Sequence, residues 1–412
     1  MRNIRIVGAG QSGLQLALSL QAQGHQVSLS SNRSAEDIAH GKVMSSQCMF
    51  HTALQAEREL GLNFWEAECP PVEGISLTVP HPAELGQKAL AWSHRLDHPA
   101  QSVDQRLKIP GWMDAFRRRG GQILEHEATV DDLEAWSLSH DLVIVAAGKG
   151  AIAQLFERDA RRSPFDKPQR ALALTYVQGM RAREDYSAVD FNLIPGVGEY
   201  FVFPALSTSG PCHIMVFEGV PGGPMDCWGD VQGPAAHLAR SREILARYLP
   251  WEAARCAHIE LTDANGILSG RFAPTVRHPV GRLPSGRVVM GLGDAVLLND
   301  PITGQGSNNA AKFARVVDQA LAARGEQALD AGFIQSCFDS FWAYASHVVD
   351  WTNAMLMPPP DHVMAVLQAC ARHPAAARRF VNGFDDPRDY AGFLMDPERA
   401  RAYLATLEPA LA

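Results

Sequence analysis

The sequence lacks the features that mark secreted, membrane-spanning or nucleic-acid-binding chains. Its seven cysteines (Cys48, Cys69, Cys212, Cys227, Cys256, Cys337 and Cys370) are scattered, odd in number and never spaced Cys-x-x-Cys. That pattern argues against a disulfide framework or a structural zinc site. No apolar stretch approaches the ~20 residues needed to span a bilayer. Lysine and arginine (37) fall short of aspartate and glutamate (45), for a formal net charge of −8. Such a balance speaks against binding to a phosphate backbone as the main activity. There is no run of like charge, no low-complexity segment and no internal repeat. The chain opens Met1-Arg2-Asn3-Ile4-Arg5-Ile6-Val7-Gly8 and enters a strand pattern at once, without a cleavable signal peptide. The expectation is a reduced, cytoplasmic protein.

What is present is an ordinary globular composition, 46% hydrophobic and 20% charged over 412 residues, enough for two or three domains. Residues 4–7 form a short apolar run, Gly8 to Gly13 a glycine-rich turn, Leu14 to Leu20 a helical pattern ending near Gly24, and 27–31 a second strand. This β–turn–α–β order opens a doubly wound α/β fold. A plausible helix covers Ala53–Leu60, and 141–148 reads as a buried strand with a tight exit. Short apolar or alternating runs at 172–177, 200–203 and 213–217, separated by turn residues, predict an antiparallel sheet in the middle third. Another strand spans 287–292. From Ser307 the chain reads helical, over 308–324 and about 333–357, until Pro358-Pro359-Pro360 stops it.

Gly8-x-Gly10-x-x-Gly13 follows a strand and opens a helix, the context a dinucleotide-binding turn requires. The first glycine makes the turn, the second admits a pyrophosphate, and the third lets helix and strand pack, with the helix N-terminus facing the anion. Gln11 and Ser12 lie within it. Alone, the motif does not separate NAD from FAD, and a glycine-rich turn without ligand is the plain alternative. The second strand ends in Ser31, where an acidic ribose anchor is usual, and a hydroxyl is a weaker acceptor than a carboxylate. Arg33 suits either a 2′-phosphate or solvent.

At the far end, Gly293-Asp294 closes a strand, and Pro301-Ile302-Thr303-Gly304-Gln305-Gly306-Ser307-Asn308 leads into a long helix. This arrangement resembles the C-terminal FAD motif of the aromatic-hydroxylase flavoproteins. The resemblance implies that Asp294 meets the ribityl chain and that the helix start faces the pyrimidine edge of the isoalloxazine. A helix N-terminus stabilises an anion there by ~0.3–1 kcal/mol. Asp104-Gln105-Arg106-Leu107 resembles the helix start whose arginine contacts FAD phosphates; otherwise Arg106 is a surface helix residue. In single-component hydroxylases the strand that corresponds to 141–147 runs into an Asp-Gly pair. Here Ala147-Gly148 stands there, followed by Lys149-Gly150, and no second Gly-x-Gly-x-x-Gly serves a nicotinamide.

Together these features resemble the styrene and indole monooxygenases, two-component enzymes whose oxygenase takes reduced FAD from a separate reductase. The resemblance covers most of the chain. It is carried by Ser45-x-Gln47-x-Met49, the run Glu57–Trp65, Val103-Asp104-x-Arg106-Leu107, the run Ser163–Arg170 and Gly291-Leu292-Gly293-Asp294. It implies an FADH2-dependent monooxygenase in which reduced flavin and O2 make a C4a-hydroperoxide that epoxidises indole or a styrene-like alkene. The chemistry belongs to the cofactor, so no catalytic side chain and no metal are expected. Styrene-type members tend to carry Asn-x-Val-x-His in place of Ser45-x-Gln47-x-Met49. This pattern, with Val72, Ile75 and Ala100, is similar to the indole-type branch.

The expected substrate pocket is therefore Ser45, Gln47, Met49, Val72, Ile75, Ala100 and Ile302, with 45, 47 and 49 sharing one face. For each apolar member, plain core packing is the competing reading. His51 and Cys48 read as structural.

The fold expected is a Rossmann-like doubly wound FAD-binding domain of aromatic-hydroxylase type, with an inserted antiparallel β-sheet substrate domain and a helical C-terminal region. The boundaries read as 1–165 (FAD-binding, first part, including a pocket segment at about 40–105), 166–270 (substrate sheet), 271–330 (FAD-binding, second part) and 331–412 (helical). Expected partners are an NADH-dependent flavin reductase, a small apolar aromatic and O2, without nucleic acid or membrane; a homodimer is left open. The alternatives are a single-component NAD(P)H-dependent FAD aromatic hydroxylase and a non-catalytic flavin-fold binding protein.

Overall fold

The structure is a computed structural model that describes residues 1–148 and 150–407. Lys149, in the expected strand exit, lies outside the described residues. The first 145 residues form β1 (Asn3–Val7), α1 (Gln11–Ala22), β2 (Gln26–Ser31), α2 (Ala35–Ala39), α3 (His51–Glu59), β3 (Pro71–Pro80), β4 (Lys88–Gln101), α4 (Gln105–Arg118), β5 (Gln122–Glu125), α5 (Val130–Ser139) and β6 (Leu142–Val145). Then come β7 (Ala171–Gln178), β8 (Ala188–Ile194), β9 (Gly198–Ser207), β10 (Gly210–Gly219), α6 (Gly233–Tyr248), α7 (Pro250–Arg255), β11 (Glu260–Leu261) and β12 (Ile267–Gly270). The last part holds β13 (Thr275–Val276), β14 (Val280–Arg282), β15 (Val288–Gly291), β16 (Leu297–Leu298), α8 (Gly306–Arg324), α9 (Ala331–Met355), α10 (Asp361–Arg372), α11 (Pro374–Asn382) and α12 (Pro397–Leu407).

One sheet has the strand order β14-β15-β6-β1-β2-β5. From β15 to β5 the neighbours are parallel; β14 adds an antiparallel edge. Strands buried on both faces are continuously apolar, as in Leu142–Val145, where all four residues are buried. Because these strands run the same way, the chain leaves β1, β6 and β15 at one edge of the sheet. In open α/β sheets, ligands sit at the carboxyl edge, where the strand order reverses. Here that point is β1, flanked by β6 and β2.

The second sheet runs β4-β3-β8-β9-β10-β7-β11, with β12 also paired to β7. It is antiparallel except for the parallel pair β3 and β8. Its side chains alternate between two cores. Leu174, Tyr176, Phe201, Phe203, Ile214 and Val216 face the C-terminal helices, whereas Ala173, Val177, Tyr200, Val202, Met215 and Phe217 face α6 and the segment after α7.

Two boundaries read from the sequence need correction. The segment expected to belong to the flavin-binding half contains β3 and β4, which pair into the substrate sheet. That sheet is thus built from two separate stretches of chain. Nor does the helical region stand apart. Phe333, Ile334, Cys337, Phe338 and Phe341 of α9 pack in the flavin-side core, whereas Trp351 of the same helix packs with the substrate sheet.

Candidate functional site

The glycine turn is held by contact with the neighbouring strand exit. Gly8 has φ +113°, and a Cβ there would lie 2.9 Å from the carbonyl carbon of Ala146 and 3.0 Å from the nitrogen of Ala147. A Cβ on Gly13 would reach within 2.0 Å of the Gly8 carbonyl oxygen. Gly10, by contrast, has open space where a side chain would stand. The turn is therefore closed toward the protein and open at its middle glycine, the shape that admits a pyrophosphate. Among the described residues, no side chain caps α1 above it.

The distant segments meet here. Gly293 lies against Ser12, since its Cβ would sit 2.5 Å from the Ser12 hydroxyl, and Gly148 lies against Asp294, 2.8 Å from the Asp294 Cβ. Ala147-Gly148, Gly293-Asp294 and the Gly8–Gly13 turn thus form one cluster at the carboxyl edge. Gln11 is buried and points away from the cradle: its Nε2 donates to Gln15 and to Glu57, both at 3.1 Å. Glu57 in turn forms a buried ion pair with Lys108 at 2.8 Å, and Gln15 donates to the Ala311 carbonyl. This polar chain fastens α1, α3, α4 and α8 behind the turn.

The second glycine-rich stretch begins with Asp300, whose Oδ1 accepts from the Ile302 amide at 3.1 Å and starts a 3-10 turn over Pro301–Thr303. Gly304 follows with φ +65°, and α8 begins at Gly306 without a side-chain cap among the described residues. Both Gly304 and Gly306 have open space at the Cβ position, Gly306 is exposed and Ser307 partly so. The Thr303 hydroxyl bonds to Thr352 of α9 at 2.7 Å. Gln305 is turned inward and donates to the Phe384 carbonyl. Asn308 is a fastening: its Oδ1 accepts from Phe50 N at 2.9 Å and its Nδ2 donates to Cys48 O at 2.8 Å and Gly304 O at 3.0 Å.

Other expected contacts are placed differently. Arg106 is buried and fully engaged by protein. Its Nε and Nη2 donate to Asp104 at 2.9 and 2.8 Å, its Nη1 and Nη2 to the two oxygens of Asp263 at 3.0 Å each, and Nη1 also to Gly41 O. These carboxylates hold the guanidinium above its usual range although burial opposes them. The arginine expected to meet FAD phosphates instead joins α4 to the loop between β11 and β12. The Ser31 hydroxyl donates to Arg33 O at 2.6 Å and accepts from Arg33 N at 3.2 Å, a local turn, and exposed Arg33 lies against the Met44 sulfur.

The pocket segment is also rearranged. Ser45 donates to Gln47 Oε1 at 3.1 Å, Gln47 Nε2 donates to Val103 O, and Tyr176 donates to Ser45 O at 2.8 Å. Burial raises the Tyr176 phenol well above its usual range, keeping it a neutral donor. Met49 bonds as an extended residue with Gln101, at 2.8 and 3.0 Å, and its side chain packs with Ala53, Leu54 and Ala311. By alternation, Cys48 and Phe50 point the other way and share a core with Val72, Ile75 and Ala100. The expected wall of Val72, Ile75 and Ala100 is therefore met by 48 and 50, and Met49 faces α3 and α8. A register shift between Val72 and Gly74 lets Val72 and Ile75 share one face despite their odd spacing. Ile302 is buried beside the 300–304 loop. Burial pushes the Cys48 thiol up, so it is unreactive, and His51 stacks on His98 with ring centroids 3.9 Å apart.

Glycine-rich turns from both chain ends, gathered at the carboxyl edge of a parallel sheet beside a mixed sheet, define the class: an FAD-dependent hydroxylase and halogenase fold. Solved structures with this fold include a flavoprotein/dehydrogenase from Cytophaga hutchinsonii (TM-score 0.70, 12% identity, 98% of each chain covered). They also include the flavin-dependent brominase Bmp2 (TM-score 0.64, 13% identity, 98% of this chain and 99% of that one) and the myxobacterial chondrochloren halogenase CndH (0.64, 14%, 100% and 98%). Residues 148–255 match the family model for the putative substrate-binding domain of styrene monooxygenase A. Over its whole length the chain is 28% identical to styrene monooxygenase StyA of Pseudomonas fluorescens and 29% identical to StyA of a Pseudomonas species, covering 99% of each. Over its whole length the chain is therefore similar to the styrene monooxygenases.

Proposed function

We propose that this chain is the oxygenase component of a two-component flavin monooxygenase. In this reading FAD arrives reduced, from a separate NADH-dependent reductase, and the electron-rich double bond of a small aromatic, indole or a styrene-type alkene, is epoxidised. The observation that carries the reading is the single cradle made by Gly8–Gly13, Ala147-Gly148 and Gly293-Asp294, open at Gly10, beside the uncapped start of α8.

The residues present fit FAD. Gly10 and the α1 N-terminus suit the pyrophosphate, Asp294 suits a ribityl hydroxyl, and Gly304 and Gly306 leave room for the isoalloxazine edge. Reduced FAD, when bound, supplies the electrons that activate O2. The chain's own work is binding, orientation and exclusion of water. The α8 N-terminus favours an anionic flavin edge, and the apolar face bearing Phe50, Val72 and Ile75 orients a flat substrate and keeps the site dry. No side chain is required to carry a proton. Gln47 donates to Val103 and accepts from Ser45, and the apolar wall suits both indole and a styrene-type alkene.

The test supplies chemically reduced FAD to the protein anaerobically and then admits air with indole or styrene. Epoxide, or indigo from indole, without added NADH or NADPH supports the reading. Flavin reoxidation without product, or a requirement for nicotinamide added to this chain alone, would overturn it.

A further inference from the structure

Two buried carboxyl groups, Glu218 and Asp300, gather with the partly buried Glu199 and the buried Arg170 guanidinium at the 300–304 loop. Residues 214, 216 and 218 of β10 share one face, so Glu218 points to the side of the substrate sheet that packs on residues 48–50 and the C-terminal helices. The strand register sets Glu218 directly opposite Glu199 of β9. Arg170, just before β7, forms a two-pronged pair with Glu199 (2.6 and 2.9 Å), and its Nη1 donates to the carbonyls of Gln169 and Leu356. Asp300 completes the group from the flavin-binding half.

Glu218 and Asp300 are 0% and 1% exposed. Among the described residues neither Glu218 oxygen has a hydrogen-bond partner, and Asp300 Oδ2 has none either. The two carboxyl groups lie against each other, and Arg170 is already committed to Glu199. An ionised carboxylate only accepts hydrogen bonds. Two facing carboxylates therefore repel, and both suffer full desolvation unless a proton joins them. Among the described residues no group of acidic, histidine or cysteine side chains is arranged to hold a metal ion instead.

We propose that Glu218 and Asp300 hold one proton between them, and that this acid–carboxylate hydrogen bond is a positioning device that fixes the 300–304 loop on the substrate sheet. It rests on the reading that this loop meets FAD. Burial raises the pKa of both groups, and Asp300 and Glu199 raise it further for Glu218. The shared proton is thus present at neutral pH and is lost as pH rises through the raised value. Past that point FAD affinity falls by up to ~10-fold per pH unit, one proton being linked to binding.

The test uses the full chain. Infrared difference spectra of the parent at pH 7 should show a protonated-carboxyl band that disappears in Glu218→Gln and in Asp300→Asn. FAD titration by fluorescence should show Glu218→Gln within ~3-fold of the parent at pH 7, because an amide can donate in place of the acid. Glu218→Leu should bind ~10-fold or more weakly, the loss of one hydrogen bond to a charged group. Above the pH at which the parent's band disappears, the parent's affinity should fall and that of Glu218→Gln should not. The absence of the band, parent-like affinity in Glu218→Leu, or the same alkaline fall in Glu218→Gln would each overturn the proposal. If no variant nor the parent binds FAD, the functional reading fails, while the band still reports on the pair.

Discussion

Asn308 stands at the third position of α8 and offers a contest between two effects of opposite sign. A negative charge in the first turn of a helix is stabilising by ~0.3–1 kcal/mol, so the helix dipole alone favours Asn308→Asp. The side chain, however, makes three bonds: it accepts from Phe50 N and donates to the carbonyls of Cys48 and Gly304. Aspartate keeps the first and loses the other two, setting a carboxylate oxygen against two carbonyl oxygens. The Cys48 side of this contact is buried and the Gly304 side partly so. With ~1–3 kcal/mol for each of the two carbonyls left unpaired, less the ~0.3–1 kcal/mol of the dipole, the net cost of Asn308→Asp is ~1–6 kcal/mol. Asn308→Ala, which also orphans the Phe50 amide and gains nothing from the dipole, costs more, ~3–9 kcal/mol. Urea unfolding of the three proteins followed by circular dichroism measures both. The expected order is parent above Asp above Ala. An Asp variant as stable as the parent would show that the helix dipole, not the fastening of residues 48–50, dominates at this position.

Gly10→Ala meets no protein atom, so it is expected to keep the parent's melting temperature while FAD titration shows lost affinity; Gly13→Ala, 2.0 Å from the Gly8 oxygen, should lower both. Lys108→Met leaves the buried Glu57 carboxylate unpaired and is expected to cost ~3–5 kcal/mol, whereas Glu57→Leu with Lys108→Met should recover most of that in urea unfolding. Burial lowers the Lys312 amine to about 8 from 10.5, so between those values the unfolded chain binds the extra proton and stability rises with pH. Stability measured at several pH values in that window should show a shallower rise, or none, in Lys312→Met; an unchanged slope would exclude Lys312 as its source.

The flavin-binding half was legible because it obeys local rules. Strand, glycine turn and helix follow one another within residues 3–22, and a buried parallel strand such as Leu142–Val145 is apolar throughout. β3 and β4 were not legible: prolines bound β3, and charged residues and histidines at 94–98 break the alternation of an edge strand. The parity of the 45–49 segment could be read, but not which face meets the sheet, because Cys48, Met49 and Phe50 are all apolar. The engagement of Arg106 by Asp263, 157 residues further on, lies beyond any local pattern. For Glu218 nothing local distinguishes it from a solvent-facing strand residue; its burial comes from the approach of the 300–304 loop.

The course of α9 bears on how the protein can be cut. At 25 residues the helix is ~37 Å long, and it gives Phe338 and Phe341 to one core and Trp351 to the other. A fragment ending after α8 would contain every glycine of the cradle and yet uncover apolar surface on both sheets at once. Trimming to a minimal flavin-binding piece at residue 330 is therefore expected to give insoluble protein. Splitting the chain into two co-expressed pieces has better prospects with the break in the exposed turn between β3 and β4, where Glu84, Leu85 and Gly86 face solvent.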